Sequence, residues 1–385
     1  MGETICINNK ITEKSTVRNI ALDVLRIICM FLIVLGHSIC HGQVLETITE
    51  YSANYFLINA MYTFLMVHVN CFVLISGYFL CTHEFSIKKA ISLWVKAFFW
   101  SSLLYALLCV CGIIPFEVRG FIKALLPFTQ QRYWFVTSYL LMYCLVPILN
   151  AAIKAMSKRQ FAVFLTVFFL VYIVLQNLIF WREFTCVNSS NPLFFSFLYM
   201  VAAYIRLYPP PKKHRWFLLY TLTCTFVTLW KYMISWATIR FLGKAMGVSA
   251  FSAYNSITMV CASIFLFLFF TGVRIKSQRI KAYIPLLSSL TFGVYLIHDQ
   301  PEIRKFIWQQ LLQPNRFAQS SVLVLILLCM AIIVFAGSAL LELIRQKLFS
   351  TLSIEKWIGV LAGKMTRSVE CITDKVFDRD GKIDG

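Results

Sequence analysis

The sequence predicts an all-α polytopic membrane protein with about ten transmembrane helices, and three observations predict it. The 385 residues are 59% hydrophobic and only 14% charged, whereas a soluble globule carries roughly a quarter charged residues. Apolar stretches long enough to cross a bilayer recur along nearly the whole chain. Lys and Arg are shared unequally between the loops on the two sides, which sets an orientation.

The apolar segments fall at 20–40, 56–80, 91–114, 132–152, 161–181, 193–209, 216–236, 251–273, 284–300 and 320–344. Each has about 17–25 residues, the length that spans a hydrocarbon core, and the loops between them are short. Placing the N-terminus inside puts 24 of the 36 Lys/Arg on that side, 9 on the other and 3 within spans (Arg26, Lys96 and Lys231). Both termini are therefore expected in the cytoplasm. Residues 1–19 read as a cytoplasmic arm, 20–344 as one membrane domain and 345–385 as a charged, amphipathic cytoplasmic tail ("LFSTLSIEKWIGVLAGKM") on the membrane surface. The net charge of +19 is thereby a topology signal, helped by anionic lipid, and nucleic acid is not expected as a partner. The 13 cysteines lie mostly inside apolar segments at irregular spacing and read as small buried hydrophobes.

The first span, "ALDVLRIICMFLIVLGHS", carries Asp23, Arg26 and His37. It is too long and too polar for a cleaved signal peptide. A charge deep in a bilayer costs roughly 2.5–3.5 kcal/mol on insertion scales. Arg26 and His37 are eleven residues apart, within about 20° of three full turns, so they share a face and stand about 16.5 Å apart along the axis. Asp23 precedes Arg26 by three and joins that stripe. A polar cavity between helices would hold it; a structural ion pair with an interfacial histidine is equally consistent with the spacing. His37 and His41 are an i,i+4 pair, but no HExxH or neighbouring carboxylate completes a metal site in the sequence. No metal is expected.

"RNIALDVLRIICMFLIVLGHS" resembles the opening of the acyltransferase 3 family, integral-membrane acyltransferases that modify bacterial surface glycans. Arg18, the Asp23-x-x-Arg26 step and the Arg26–His37 spacing carry the likeness, and it implies that these positions are functional. "CFVLISGYFL" resembles the family's aromatic-x-x-Ser-Gly-aromatic motif at Ser76, where the small pair also permits close helix packing. "SIKKAISLWVK" resembles the basic start of the third span, with Lys88 and Lys89 where many members have arginines and without the later arginine-proline step. Lys binds phosphate as a point charge where Arg is a planar fork, and both lysines also suit plain positive-inside anchors. "YWFVTSYLLMYCLVP" is similar to a Trp-Phe-Leu…Tyr…Pro stretch; Trp134 with Arg132 beside it would serve a sugar, or the aromatics would form an interfacial belt. "SLTFGVYLIHDQ" resembles a Ser-Tyr-Gly-x-Tyr-Leu-x-His signature, with Thr291 and Phe292 in place of the Ser and Tyr, and Tyr295 and His298 retained. The resemblance covers about residues 18–345.

The resemblance implies an O-acyltransferase of the bacterial plasma membrane. Acetyl-CoA or another acyl-CoA would be the donor substrate, no cofactor would be bound, and a surface saccharide or lipid-linked glycan would be the acceptor. His37 would be the base or transient acyl acceptor, Arg26 would hold donor phosphates or Asp23, and Arg18, Ser76, Lys88, Lys89, Arg132, Trp134, Tyr295 and His298 would contact substrates. Some members carry a fused hydrolase-like domain; here none is expected, so the membrane domain, a separate transfer protein or a homo-oligomer would complete transfer. A glycan transporter or flippase, a non-catalytic scaffold, a succinyl donor and an amine acceptor are the rival expectations.

Overall fold

The structure is a computed structural model that describes residues 18–380 except 131, 176, 178–189, 212–214 and 244–250, and only the backbone of 369–380. Lys10, Lys14, Lys212, Lys213 and Lys382 of the expected cationic side, and Arg182 and Lys244 of the other, lie outside the described residues. Among the described residues there are helices and no strands.

The chain opens with α1 (Ile20–Cys40), whose Asn19 cap accepts from the backbone N–H groups of Ala21 and Leu22. After a one-turn α2 (Val44–Thr47), the second span comes in two pieces, α3 (Ala53–Leu65) and α4 (His68–Leu80). Then follow α5 (Ile87–Val110), α6 (Val118–Leu125), α7 (Trp134–Ala155) and α8 (Lys158–Phe168), which widens into a π-helical stretch over Phe169–Leu175. The remainder comprises α9 (Pro192–Leu207), α10 (Arg215–Leu242), α11 (Ile257–Gly272), α12 (Gln278–His298), α13 (Pro301–Lys305), α14 (Leu323–Thr351) and α15 (Ile354–Asp380). Polar caps fix several starts: Ser52, Ser256 and Ser277 each accept a backbone N–H from the first turn, and Ser157 forms a capping box with Gln160.

Among the described residues, eight helical stretches have the length and apolarity to cross a membrane, and α9 and α11 are shorter apolar helices. Together they match the ten segments read from the sequence. Burial separates inner from outer spans. Of the most apolar stretch, 56% is buried for α1 and 61% for the second span, against 11% for Lys158–Leu175. Around α1 pack α12, α14, α4, α11 and α3. Gly77 lets α4 press on α9, since a Cβ there would stand 2.7 Å from the Tyr199 backbone.

Two features differ from simple spans. The second span breaks at Met66–Val67, in a stretch without Pro or Gly. Broken helices at membrane depth persist where they line a cavity, and His68 at this break does so. The last span, α14, runs on to Thr351, beyond the expected limit at 344, because its charged residues neutralise each other inside the bundle. Arg345 donates to both carboxylate oxygens of Glu342, at 2.8 and 2.6 Å, and Trp100 Nε1 donates to Glu342 Oε2 at 2.9 Å. The final helix α15 packs along α5.

Candidate functional site

One face of α1 builds the centre of the site. Arg26, Met30, Ile33 and His37 follow one another at steps of four, three and four residues, and all four line a cavity of about 280 Å³. The shared face expected for Arg26 and His37 is therefore present. Facing them are Phe72 and Ser76 of α4, Trp134 and Tyr139 of α7, and Ser288 and Tyr295 of α12. A second cavity, of about 290 Å³, begins on the far side of His37 and is lined by Cys40, His41 and Tyr62. His37, His68, Trp134 and Tyr254 line both chambers and form the waist between them. Trp134 lies stacked over Tyr254 with centroids 6.1 Å apart.

At the α1 N-terminal end of the first chamber, Asp23 is buried and organises the cations. Arg18 Nε donates to Asp23 Oδ2 at 2.5 Å, Arg26 Nη1 donates to Oδ1 at 3.1 Å, and Ser288 Oγ donates to Oδ1 at 2.7 Å. Arg26 Nη1 also reaches Ser288 Oγ at 3.1 Å, while Arg18 Nη2 donates to the carbonyl of Pro285. Asp23 has no face on the chamber, whereas Arg26 does. The carboxylate thus stands behind the guanidinium and fixes where it points.

At the other end, hydrogen bonding settles the tautomer of His37. His298 Nδ1 lies 2.6 Å from the Val294 carbonyl, which can only accept, so Nδ1 carries the proton. Neutral His298 then offers Nε2 as an acceptor, 3.1 Å from His37 Nδ1. Asp299 Oδ1 lies 3.5 Å from the same His37 nitrogen. Both neighbours call for a proton on His37 Nδ1, leaving its Nε2 with the lone pair. Arg304 Nη1 holds Asp299 Oδ1 at 3.1 Å.

Other residues singled out in the sequence are distributed unevenly. Ser76, Trp134 and Tyr295 line the first chamber, and His298 backs His37. Lys88 and Lys89 are exposed at the start of α5 and line neither chamber; that helix contributes Leu93 instead. Arg132 is buried and its guanidinium donates to Glu302, which Gln300 also contacts at 2.6 Å. It ties the start of α7 to α13 and lines neither chamber.

Sequence reasoning missed Ser288, Tyr254 and Arg304 and, closest to His37, Asp299 and His68. Asp299 follows His298 directly, and its carboxylate reaches His37 only because α12 packs on α1. His68 is buried at the waist, with an Nδ1 that has no protein partner. An imidazole inside an apolar segment was a signal that could have found it.

A family model described as an acyltransferase domain matches residues 19–343, a stretch that contains both chambers and every residue of the His37 cluster. Neither the curated proteins nor the solved structures contain a match to this chain.

Proposed function

The chain belongs to the acyltransferase 3 family, and on that premise we propose that it is an O-acyltransferase that moves an acyl group, acetyl foremost, from acyl-CoA to a hydroxyl of a surface saccharide or its lipid-linked precursor. The observation that carries this reading is the position of His37: one imidazole borders two chambers and has its Nδ1 held by His298 and Asp299. The membrane would be the bacterial plasma membrane. With the N-terminus inside, the chamber reaching Arg26 would receive the donor and the chamber beyond His37 the acceptor.

In this mechanism Arg26, fixed by Asp23 and Ser288, pairs with a donor phosphate, a charge-assisted contact suited to guanidinium. The acceptor hydroxyl binds near the waist, with Trp134 and Tyr254 as a stacking face for a sugar ring. His37 Nε2 removes the hydroxyl proton as the oxygen attacks the thioester carbonyl carbon. The C–O bond forms, the tetrahedral oxyanion collapses, the C–S bond breaks, and the leaving CoA thiolate takes the proton back from imidazolium. Asp299 stabilises that imidazolium through Nδ1–H, in the role a carboxylate has behind a catalytic histidine.

A transporter would use a polar-lined bundle too, but membership of an acyltransferase family favours group transfer. Purified protein with radiolabelled acetyl-CoA should release CoA and label an acceptor saccharide, and surface glycans from cells lacking the gene should lack the corresponding acyl mass. Substrate movement without CoA release would overturn the enzyme reading. Omitting a separate transfer protein and varying the protein's own concentration would show whether transfer needs a partner or a homo-oligomer.

A further inference from the structure

We propose that His37, His41 and Asp299 form a binding site for a borderline divalent transition cation of the Zn²⁺ class, and that a cation held there switches the transferase off. His37 and His41 are one helical turn apart at the end of α1, and Asp299 caps the facing helix α12. No carboxylate neighbours the histidine pair along the chain, so no metal was expected there; the packing of α12 on α1 supplies one. One ring nitrogen each of His37 and His41 and an Asp299 oxygen all lie within 4.8 Å of one another. Asp299 Oδ1 is 3.5 Å from His37 Nδ1 and 4.0 Å from His41 Nε2. Ligand atoms about 2.0–2.1 Å from a tetrahedral zinc stand roughly 3.3–3.4 Å from each other. Small ring rotations close the difference.

Three further observations fit a cation. His37 and His41 line the second chamber, of about 290 Å³, which gives the ion a route and leaves room for a water ligand. His298 Nε2, 3.1 Å from His37 Nδ1, places another nitrogen beside the site. The other His298 nitrogen donates to the Val294 carbonyl, the arrangement that orients metal-bound imidazoles. Arg304 works against the ion, since its guanidinium occupies one side of Asp299 Oδ1 at 3.1 Å. It moderates affinity and leaves the carboxylate's remaining lone pairs for a metal. Imidazole nitrogens favour Zn²⁺ over Mg²⁺ or Ca²⁺, which prefer oxygen.

The inhibitory consequence rests on His37 acting as the base; the binding itself does not. A neutral imidazole has one N–H. A metal on Nδ1 moves that proton to Nε2, and the lone pair needed for the acceptor hydroxyl is lost.

The test uses the full-length protein purified without a polyhistidine tag, stripped with EDTA, dialysed and titrated calorimetrically with ZnCl₂ and with MgCl₂. One Zn²⁺ per chain and no Mg²⁺ are expected. His41→Asn and Asp299→Asn should each weaken Zn²⁺ binding at least ~10-fold, since even outer-shell changes cost ~10–100-fold, and Arg304→Gln should tighten it. Zn²⁺ should inhibit wild-type transfer, and the Zn²⁺ concentration that halves transfer, relative to each protein's own metal-free rate, should rise at least ~10-fold in His41→Asn. His41→Gln serves as a second variant, with thermal unfolding confirming that each protein is folded. No stoichiometric Zn²⁺ binding by the wild type, or undiminished binding by both folded His41 variants, would overturn the site. Binding that depends on His41 but leaves transfer untouched would overturn the switch. Absence of transfer even in the stripped wild type would count against the transferase reading and leave the binding result standing.

Discussion

Asp23→Asn removes one charge at a position where shape hardly changes. The carboxylate receives Arg18 Nε at 2.5 Å, Arg26 Nη1 at 3.1 Å and Ser288 Oγ at 2.7 Å. The Arg18 side chain is 51% exposed, so its share is screened and small. The Arg26 and Ser288 bonds to a buried charged acceptor each contribute roughly 1.5–3 kcal/mol, and breaking one partner of a buried pair costs ~3–5 kcal/mol. Because the Arg26 side chain retains 28% exposure, the low end applies, about 3 kcal/mol or roughly a hundredfold in an equilibrium constant. On the proposed function, part of this loss falls on donor affinity, because Arg26 loses its anchor while Ser288 alone remains. The assay is a double-mutant cycle of Asp23→Asn and Arg26→Gln, read as donor dissociation constant and as denaturation midpoint. The two changes should couple by ~2 kcal/mol, with the double variant little worse than either single one. Strict additivity, within ~0.5 kcal/mol, would show that Asp23 does not hold Arg26.

His37→Ala should abolish acyl transfer while leaving folded yield nearly intact, as alanine suits a helix; His37→Gln should be equally inactive, and a near-native rate in either variant would move the chemistry to another group. Asp299→Asn should lower kcat by ~10²–10⁴-fold with little change in KM if it steadies imidazolium as proposed, and equal losses in folded yield would mark it as merely structural. Arg345→Met strands the Glu342 carboxylate, 3% exposed, and should cost ~3–5 kcal/mol in unfolding experiments, whereas Glu342→Met with Arg345→Met should recover most of it. Gly77→Ala drives a methyl into the Tyr199 backbone and should cost ~1–3 kcal/mol; an unchanged melting temperature would mean that α4 and α9 separate easily.

Span positions and the α1 stripe were legible because helix periodicity and bilayer thickness are local rules. Arg26, Met30, Ile33 and His37 share a wall for the reason their spacing implies. Ser76, Trp134 and Tyr295 of the facing wall were marked by the family likeness, but the sequence could not display how the two walls meet. Asp299 lies 262 positions from His37, and only the crossing of α12 over α1 joins them. Arg132 looked available for a sugar, yet Glu302 of α13 takes its guanidinium. The lysines at 88 and 89 share a helix with Leu93 but sit too near its end to face the chamber. The interruption at Met66–Val67 has no Pro or Gly to announce it, so it follows from tertiary packing rather than from local backbone preference.

Between Arg26 and His37 the chamber is walled largely by Met30, Ile33, Phe72, Phe135 and Phe292, with Ser76, Tyr139 and Thr291 the polar interruptions. A bare ion entering that sleeve would exchange its water shell for hydrocarbon and aromatic edges, with an idealised cost of order 20 kcal/mol for a carboxylate- or ammonium-sized charge. A short uncharged group would meet no such barrier. A sleeve that passed such a group and refused bare ions would let a cell carry many copies of this protein without short-circuiting the potential across its membrane.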